Sequence, residues 1–418
     1  MLNQTYIYSS FIPLILSVVP SKFLAVFFIF FLYFSSSAQY DNLIISKDST
    51  SLNPKKIVLD IDNRFFIKDN EYFNLIADGY TLLGNQTEVS LKYQAHKNYS
   101  LTAGFYTLKY FGTNNFEPLI PYVSLEIKKG HNRFNIGKLY TDERHQLPDE
   151  IYAFERLLDG RRIEHGLQHR FNDEHWQTDT WLEWEQFIYK ADHRRERLNF
   201  GQTTIFRQTI KHWQLSIPLQ IYLQHRGGQI NVRDADNSLV NNAVVFANSA
   251  LGLVIENKFN NRISLGFRYQ YLRLDTNSDN PEELLFTSGY AHKWQTFIKY
   301  RHWQTYVSYW NANKFVAPKG NDMFQSVSRR VEKFVDNLNQ PADVFKYHTE
   351  PHRQLLTLST SYQKVIFPDL DLAFVVDVFY QLNRSSIQSA YYDTEVYHQW
   401  DYALGLYLRY RFNYNFSK

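Results

Sequence analysis

The stretch YALGLYLRYRFNYNF, Tyr402–Phe416, places an aromatic residue or Leu at every even position. The odd positions carry Ala403, Gly405, Tyr407, Arg409, Arg411, Asn413 and Asn415. Successive side chains of a strand point to opposite faces, so this is one long strand with an apolar row and a polar row. The alternation recurs. Trp213, Leu215, Ile217, Leu219, Ile221 and Leu223 share a face, as do Ile263, Leu265, Phe267, Tyr269 and Tyr271. Leu370, Leu372, Phe374, Val376, Val378 and Tyr380 form a further row, opposite Asp371, Ala373, Asp377 and Gln381. Soluble strands average about five to six residues, whereas a tilted strand crossing a bilayer needs about nine to eleven. Rows of this length predict strands with lipid on one side and water on the other.

Short and long connections also alternate. Short ones fall near His96–Asn98, Lys129–Asn132, Phe171–His175, Ile210–His212, Asn257–Asn261, Arg301–His302 and Phe367–Asp369. Long ones fall near 68–83, 112–117, 140–162, 188–196, 226–242, 275–283, 312–351 and 383–396. Together they connect sixteen strands, from 56–67 to 397–416, with both chain ends on the short-turn side (fourteen strands being the neighbouring possibility). The turn at Arg301–His302 is placed where the apolar parity changes from even (Trp294, Ile298, Tyr300) to odd (Trp303, Val307, Tyr309), because one strand cannot swap faces without a bulge. A backbone in hydrocarbon must pair all its polar groups, so the sheet is expected to close, its last strand on its first. The fold class is therefore all-β, a transmembrane antiparallel barrel over 56–418 with short periplasmic turns and long extracellular loops.

The motif HWQ opens a strand after a short turn three times and sets Trp176, Trp213 and Trp303 at one membrane boundary. With Tyr410, Phe412, Tyr414 and Phe416 they form the expected girdle, where an amphipathic ring sits in hydrocarbon and its polar edge reaches the head groups.

Lys22, the apolar run Phe23–Phe34 and the exit SSSAQ read as a secretory signal ending at Ala38, followed by a periplasmic segment over 39–55. The run is shorter than the roughly twenty residues of a spanning helix. An extra apolar stretch, FIPLILSVVP, precedes it, so either the n-region is long or the start was assigned early; a double-pass helical anchor is the alternative. The chain has 418 residues, no cysteine and a formal charge of +3. That leaves no disulfide framework or thiolate chemistry and no basic block suited to nucleic acid.

The alternating stretch Tyr402–Phe416 resembles the C-terminal assembly signal of bacterial outer-membrane proteins, with Ser417 and Lys418 lying beyond the terminal aromatic. The texture of the mature chain, with SSSAQYDN at the exit, few glycines and many Tyr and Phe, resembles the porin-like barrels of the Bacteroidota outer membrane. The resemblance implies an outer-membrane location, and outer-membrane lipid and the barrel-assembly machinery as partners, with a homo-oligomer or an envelope complex possible.

Inward rows carry the charge. Asp179, Trp181, Glu183 and Glu185 face inward if Thr180, Leu182 and Trp184 face lipid, and Arg170, Arg268, Arg409 and Arg411 are further lumen residues. They read as an ion-selective lining with Trp181 as a stacking surface for sugars, or as internal salt bridges that rigidify or close the barrel. In the loop TDERHQLPDEIYAFERLLDGRRIEHG, Pro148, Asp149, Glu150 and Gly160 are helix start and stop signals, and Ile151, Phe154, Leu157 and Leu158 share a face. Folded inward, this helix would narrow the channel, with Glu150, Glu155, Arg161 and Arg162 as constriction residues. The segment 312–351 also reads as helical, with Phe324, Val327, Val331 and Val335 on one side, a plug, lid or docking element. RDADNS, Arg233–Ser238, is an acidic loop that could bind calcium but lacks the spaced EF-hand pattern. No G-x-S-x-G, HExxH, Walker or GxGxxG pattern is convincing, so no catalytic residue, metal or cofactor is expected. The expected role is passive diffusion of small polar or sugar-like solutes, with a non-conducting scaffold of an envelope complex as the alternative and no enzymatic activity.

Overall fold

The row at Tyr402–Phe416 is a barrel strand that pairs with the first strand of the chain. The computed structural model describes residues 55–416 except 75, 115, 118, 234–238, 261, 281–283, 329–348 and 384–398. The expected signal over 1–38, nearly all of 39–55, and Val331, Val335 and 234–238 lie outside the described residues. The first strands are β1 (Lys56–Glu71), β2 (Tyr80–His96), β3 (Tyr99–Tyr110), β4 (Ile120–Lys129), β5 (Asn132–Lys138) and β6 (His165–Asn172). Then come β7 (Trp176–Gln186), β8 (Arg197–Ile210), β9 (Trp213–Arg226), the short loop hairpin β10 (Val232–Arg233) and β11 (Leu239–Val240), and β12 (Val244–Asn260). The last are β13 (Ile263–Ser278), β14 (Ser288–Tyr300), β15 (Trp303–Asn313), β16 (His352–Phe367), β17 (Leu370–Gln381) and β18 (Trp400–Asn415). Without the hairpin, sixteen strands form one closed antiparallel barrel in chain order, β1 pairing with β18 from Val58↔Asn415 to Glu71↔Tyr402.

The short turns are as tight as two residues. Lys211–His212 and Arg301–His302 are closed by the pairs Ile210↔Trp213 and Tyr300↔Trp303, and Lys211 and Arg301 take the left-handed φ of 55° and 59° that such hairpins favour. Several strands run farther toward the loops than expected: β1 reaches Glu71, β2 begins at Tyr80 and β13 reaches Ser278. The wall on that side outlasts the hydrocarbon, and its outer face turns polar there, with Arg273 and Asp275 paired at 2.6 Å.

Parity holds around the wall. Along β18, Tyr402, Leu404, Leu406, Tyr410, Phe412, Tyr414 and Phe416 are exposed outside, while Asp401 and Ala403 are buried inside. Trp176 and Trp213 are likewise exposed at the short-turn ends of β7 and β9, and Trp303 is half-buried at that of β15.

Candidate functional site

A barrel of sixteen strands encloses an aqueous lumen unless loops fill it, and here they do. The 139–164 loop between β5 and β6 turns inward and meets 314–328, the start of the loop after β15. Their backbones join: Ala153 N–H donates to the Lys319 carbonyl at 2.7 Å and Asn321 N–H to the Asp149 carbonyl at 2.9 Å. Buried Leu147, Ile151, Tyr152, Phe315, Met323 and Phe324 pack against Trp181, Tyr222, Leu272, Trp310, Leu355 and Phe379 of the wall. Phe154, Leu157, Leu158 and Ile163 pack against Phe66, Tyr106, Leu108, Tyr122 and Val375. Polar ties fill the intervals. Gln86 donates to the Leu157 carbonyl, Thr203 to that of His145, Asn248 to that of Val316 and Arg353 to that of Met323, all within 2.7–2.9 Å. The plug is fastened around the circumference.

The helix expected from Pro148 is not formed. Pro148 starts a turn, its carbonyl accepting from Ile151 and Tyr152, but Ala153 is extended (φ −63°, ψ 138°) and bonds across to 319. Asp149 takes the Phe154 N–H at 2.8 Å, and Phe154–Leu158 and Gly160–Arg162 are 3-10 turns. Asp322–Phe324 is likewise a 3-10 turn. Pairing with a distant segment outweighs the local helix signals.

An ionic network joins plug and wall. His145 is stacked flat on Trp181, ring centroids 3.8 Å apart and planes within 6°. Its Nδ1 lies 2.9 Å from Asp179 Oδ2 and its Nε2 3.0 Å from Glu164 Oε2. Burial opposes the imidazolium, but the Asp179 charge and the bonds to Asp179 and Glu164 prevail and raise the His145 pKa to about 9. Arg144, His145 and Gln146 all have left-handed φ, 48°, 54° and 58°. That conformation disfavours each by roughly 1–2 kcal/mol, so the surroundings must hold it. Arg144 does so through Asp149 (3.1 Å) and the Tyr152 carbonyl (2.7 Å). Lys319 reaches Glu183 at 2.6 Å, Glu185 at 3.5 Å and Glu164 at 3.9 Å. Gly201 lets Trp181 lie on β8: a Cβ there would come within 2.0 Å of the indole.

The other expected lumen residues are distributed as follows. Glu150 is buried and held by Lys293 at 2.5 Å. Glu155 takes Asn70 Nδ2 at 2.9 Å and the Tyr80 hydroxyl. Arg162 binds Asp142 at 2.7 Å, and Arg409 binds Asp62 at 2.7 Å. Arg411 binds Asp371 at 2.7 Å, and Arg170 lies over Tyr140 at 4.0 Å. Arg161 is exposed and pairs with Asp159. Trp181 is 1 % exposed, so the expected sugar-stacking face is instead covered by His145. Two polar cavities remain toward the short-turn side. One of about 470 Å³ is lined by Arg207, Glu256, Arg268 and Lys299 among others. The second, about 530 Å³, includes Asp60, Lys92, Glu126, Arg409 and Arg411. Within the plug both His145 nitrogens are engaged and its side chain is fully buried, while Glu143, Asp149 and Glu150 line the first of these cavities.

The outer wall carries a group the sequence reading passed over. On β14, Ala291, Gln295 and Phe297 are buried inside and Lys293 binds the plug, so His292 points outward. Its Nδ1 is 2.8 Å from the Tyr269 hydroxyl, and among the described residues Tyr269 is its one hydrogen-bond partner. Trp294, Tyr271 and Tyr290 surround it, ring centroids 5.4, 5.3 and 5.7 Å away. Tyr271 and Asn311 are its cross-strand partners. Tyr300 at the short turn is eight residues away. At roughly 2.6 Å per residue along the normal for a strand tilted about 40°, His292 lies about 21 Å above that end. The apolar band is about 25 Å tall, so the histidine sits at the outer-leaflet interface.

Among curated proteins none matches the chain. Solved structures similar to it include OpdL of Pseudomonas aeruginosa (TM-score 0.47, 11% identity, 86% of this chain and 99% of that one). A loop L8 deletion mutant of OmpT, an outer membrane protein of Vibrio cholerae, gives a TM-score of 0.46 at 12% identity over 85% of this chain and 99% of that one. OccK2 (OpdF) of Pseudomonas aeruginosa, in complex with glucuronate, gives 0.44 at 8% identity over 85% and 98%. The molecule is an outer-membrane β-barrel, closed, antiparallel and apolar outside. A family model described as Lipid A 3'-O-deacylase-type matches residues 47–418, and a family named for an enzyme overturns the expectation of a non-enzymatic chain. Because that match takes in every described strand, the chain belongs to the Lipid A 3'-O-deacylase-type family.

Proposed function

We propose that the protein is an outer-membrane hydrolase that removes an ester-linked acyl chain from a lipid A-type glycolipid, working on the outer wall rather than through the lumen. The observation that carries this reading is His292, a histidine on the lipid-facing wall at outer-leaflet depth with one ring nitrogen held by Tyr269. When Nδ1–H donates to the Tyr269 oxygen, Nε2 bears the lone pair and can act as general base. Nε2 takes a proton from water, the water oxygen adds to the ester carbonyl, and the tetrahedral intermediate expels the sugar alkoxide. The alkoxide recovers the proton from Nε2, leaving a free fatty acid and a sugar hydroxyl. Asn311, whose Oδ1 faces Gln354 Nε2 at 3.5 Å, offers its amide N–H to the developing oxyanion.

The test is mass spectrometry of lipid A-bearing vesicles incubated with the reconstituted full-length protein. One ester-linked chain should be released, and His292→Gln should slow release by roughly 10²–10⁴-fold, the range of a lost general base. An intact glycolipid after exposure to the folded barrel overturns the hydrolase reading. Release that His292→Gln leaves unchanged moves the chemistry to another group.

A second reading, passive diffusion of small polar or sugar-like solutes, is favoured by the two polar lumen cavities. It requires the plug to move, and a stable open level of the intact protein in planar bilayers would support it.

A further inference from the structure

Beneath the plug, the chamber of about 470 Å³ is bounded by Pro148, Asp149, Glu150 and Phe324 and reaches Asn172 and Gln177 near the short-turn ends of β6 and β7. Asn172 is exposed, so the chamber opens on that side. Its lining holds five bases and five acids. Lys293 binds Glu150 at 2.5 Å, Lys299 binds Glu256 at 2.9 Å and Arg144 binds Asp149 at 3.1 Å. A charged ligand therefore gains little there. What the lining leaves unmatched are oxygen acceptors. Gln220, Gln270 and Gln295, on β9, β13 and β14, are at most 6 % exposed. The Oε1 of each has no hydrogen-bond donor among the described residues, and neither has Glu150 Oε2. Gln220 and Gln295 use their N–H groups on the Gln146 carbonyl and on Ser308 Oγ, whereas Gln270 has no such tie among the described residues. A buried polar atom without a partner costs roughly 1–3 kcal/mol, so four around one chamber call for donors from outside the chain. The wall recedes between the glutamines. Gln220 stands opposite Ala250, and Gln270 opposite Gly252, where a Cβ would lie 2.8 Å from Pro218 Cγ and 3.3 Å from Gln270 Cγ. Rings complete the surface: Phe297 packs on Tyr306 with centroids 5.6 Å apart, and Phe324 of the plug on Phe379 at 6.0 Å.

We propose that this chamber binds a neutral sugar. Sugar hydroxyls bring several O–H donors without net charge, and the same hydroxyls accept from the Gln270 amide N–H. The apolar C–H face of a pyranose ring suits the Phe297–Tyr306 and Phe324–Phe379 surfaces. Water alone would satisfy the oxygens but not the rings. An anion would meet four acceptors, and a cation would meet the Lys293 ammonium. The volume falls within the usual range for small-ligand sites. The site lies inside the wall whereas His292 lies outside it, and binding needs neither hydrolysis nor movement of the plug. It stands apart from both readings above.

The full-length protein, solubilised in an amine-oxide detergent that carries no sugar, is titrated calorimetrically with glucose, maltose and glucose 6-phosphate. Saturable binding of glucose or maltose is expected, with glucose 6-phosphate no tighter than glucose. Gln270→Leu and Gln295→Leu should each weaken the binding roughly 2- to 10-fold, the range of one hydrogen bond. Because Gln270 Oε1 has no partner among the described residues, Gln270→Leu should leave the unfolding temperature unchanged or raised. A glutamine with a merely structural role would lower it and leave affinity alone. Gln295→Leu also gives up the Ser308 bond, so Gln270→Leu keeps the test informative if that variant fails to fold. No saturable binding of either neutral sugar, binding that requires the phosphate, or affinity unchanged in the variants overturns the proposal and leaves the chamber to water.

Discussion

Lys319→Met isolates the ionic contribution to fastening the 314–328 segment. The ammonium is about 1 % exposed, 2.6 Å from Glu183 and within 3.9 Å of Glu185 and Glu164, and lies over the Tyr152 ring at 5.5 Å. Methionine keeps the length and packing of the stem but leaves three carboxylates facing one another without this cation. Breaking a buried pair by removing one partner costs about 3–5 kcal/mol, because the remaining charge has lost its water as well. At 1.4 kcal/mol per decade, the opening equilibrium of the segment should rise by roughly two to three and a half powers of ten. Hydrogen exchange followed by mass spectrometry reads this directly. Peptides covering 314–328 should lose protection, while those from β12 and β13, on the hydrogen-bonded wall, should not. Adding Glu183→Gln removes one of the stranded charges, so the double variant should recover roughly 1 kcal/mol or more. Protection of 315–326 in Lys319→Met equal to that of the parent would refute the reasoning, since it would mean that the apolar contacts alone hold the plug.

Two further outcomes follow from the same architecture. The His145 pKa stands at about 9 against an ordinary 6.5, so its contribution is fully present below pH 6.5 and is lost as pH rises through 9. The difference corresponds to about 3 kcal/mol; exchange in 139–158, corrected for its intrinsic pH dependence, should accelerate across that window, and His145→Gln should erase the pH response. A flat profile in the parent would count against a charged His145. In planar bilayers the intact barrel should be silent and a variant lacking 145–160 should show a stable conducting level; silence from both would show that the plug is not what closes the lumen.

What was legible in the sequence, and what was not, divides along one physical line. Parity is local, so each strand face, the turn at Arg301–His302 and the inward side of Asp179, Glu183 and Glu185 could be read from alternation alone. The same rule, read from Trp294 and Ile298, places His292 outside as well, although the reading took up only the apolar members of that row. The plug was legible only as an inward-turning apolar face, because its conformation depends on a partner far along the chain. Ala153 and Asp149 bond to residues 319 and 321, and that pairing replaces the helix that Pro148, Asp149 and Glu150 announce. Trp181 failed for a related reason: its inward side was readable, but the histidine lying on it comes from a loop.

The expectation of a non-enzymatic chain, overturned by the family match, went wrong on a more general point. A linear motif arises when chemistry is gathered on one turn or one helix. On a barrel wall, neighbouring groups belong to neighbouring strands: Tyr271, His292 and Asn311 are successive cross-strand partners, and Tyr269 is one outward position along from Tyr271. Their separation in sequence is set by the lengths of the intervening turns and loops, which the chemistry does not constrain. Absence of a spaced signature therefore excludes little for a protein of this architecture. What can be read instead is a polar, titratable residue on a largely apolar outward row, and His292, the base proposed above, is such a residue on the row of Tyr290, Trp294 and Ile298.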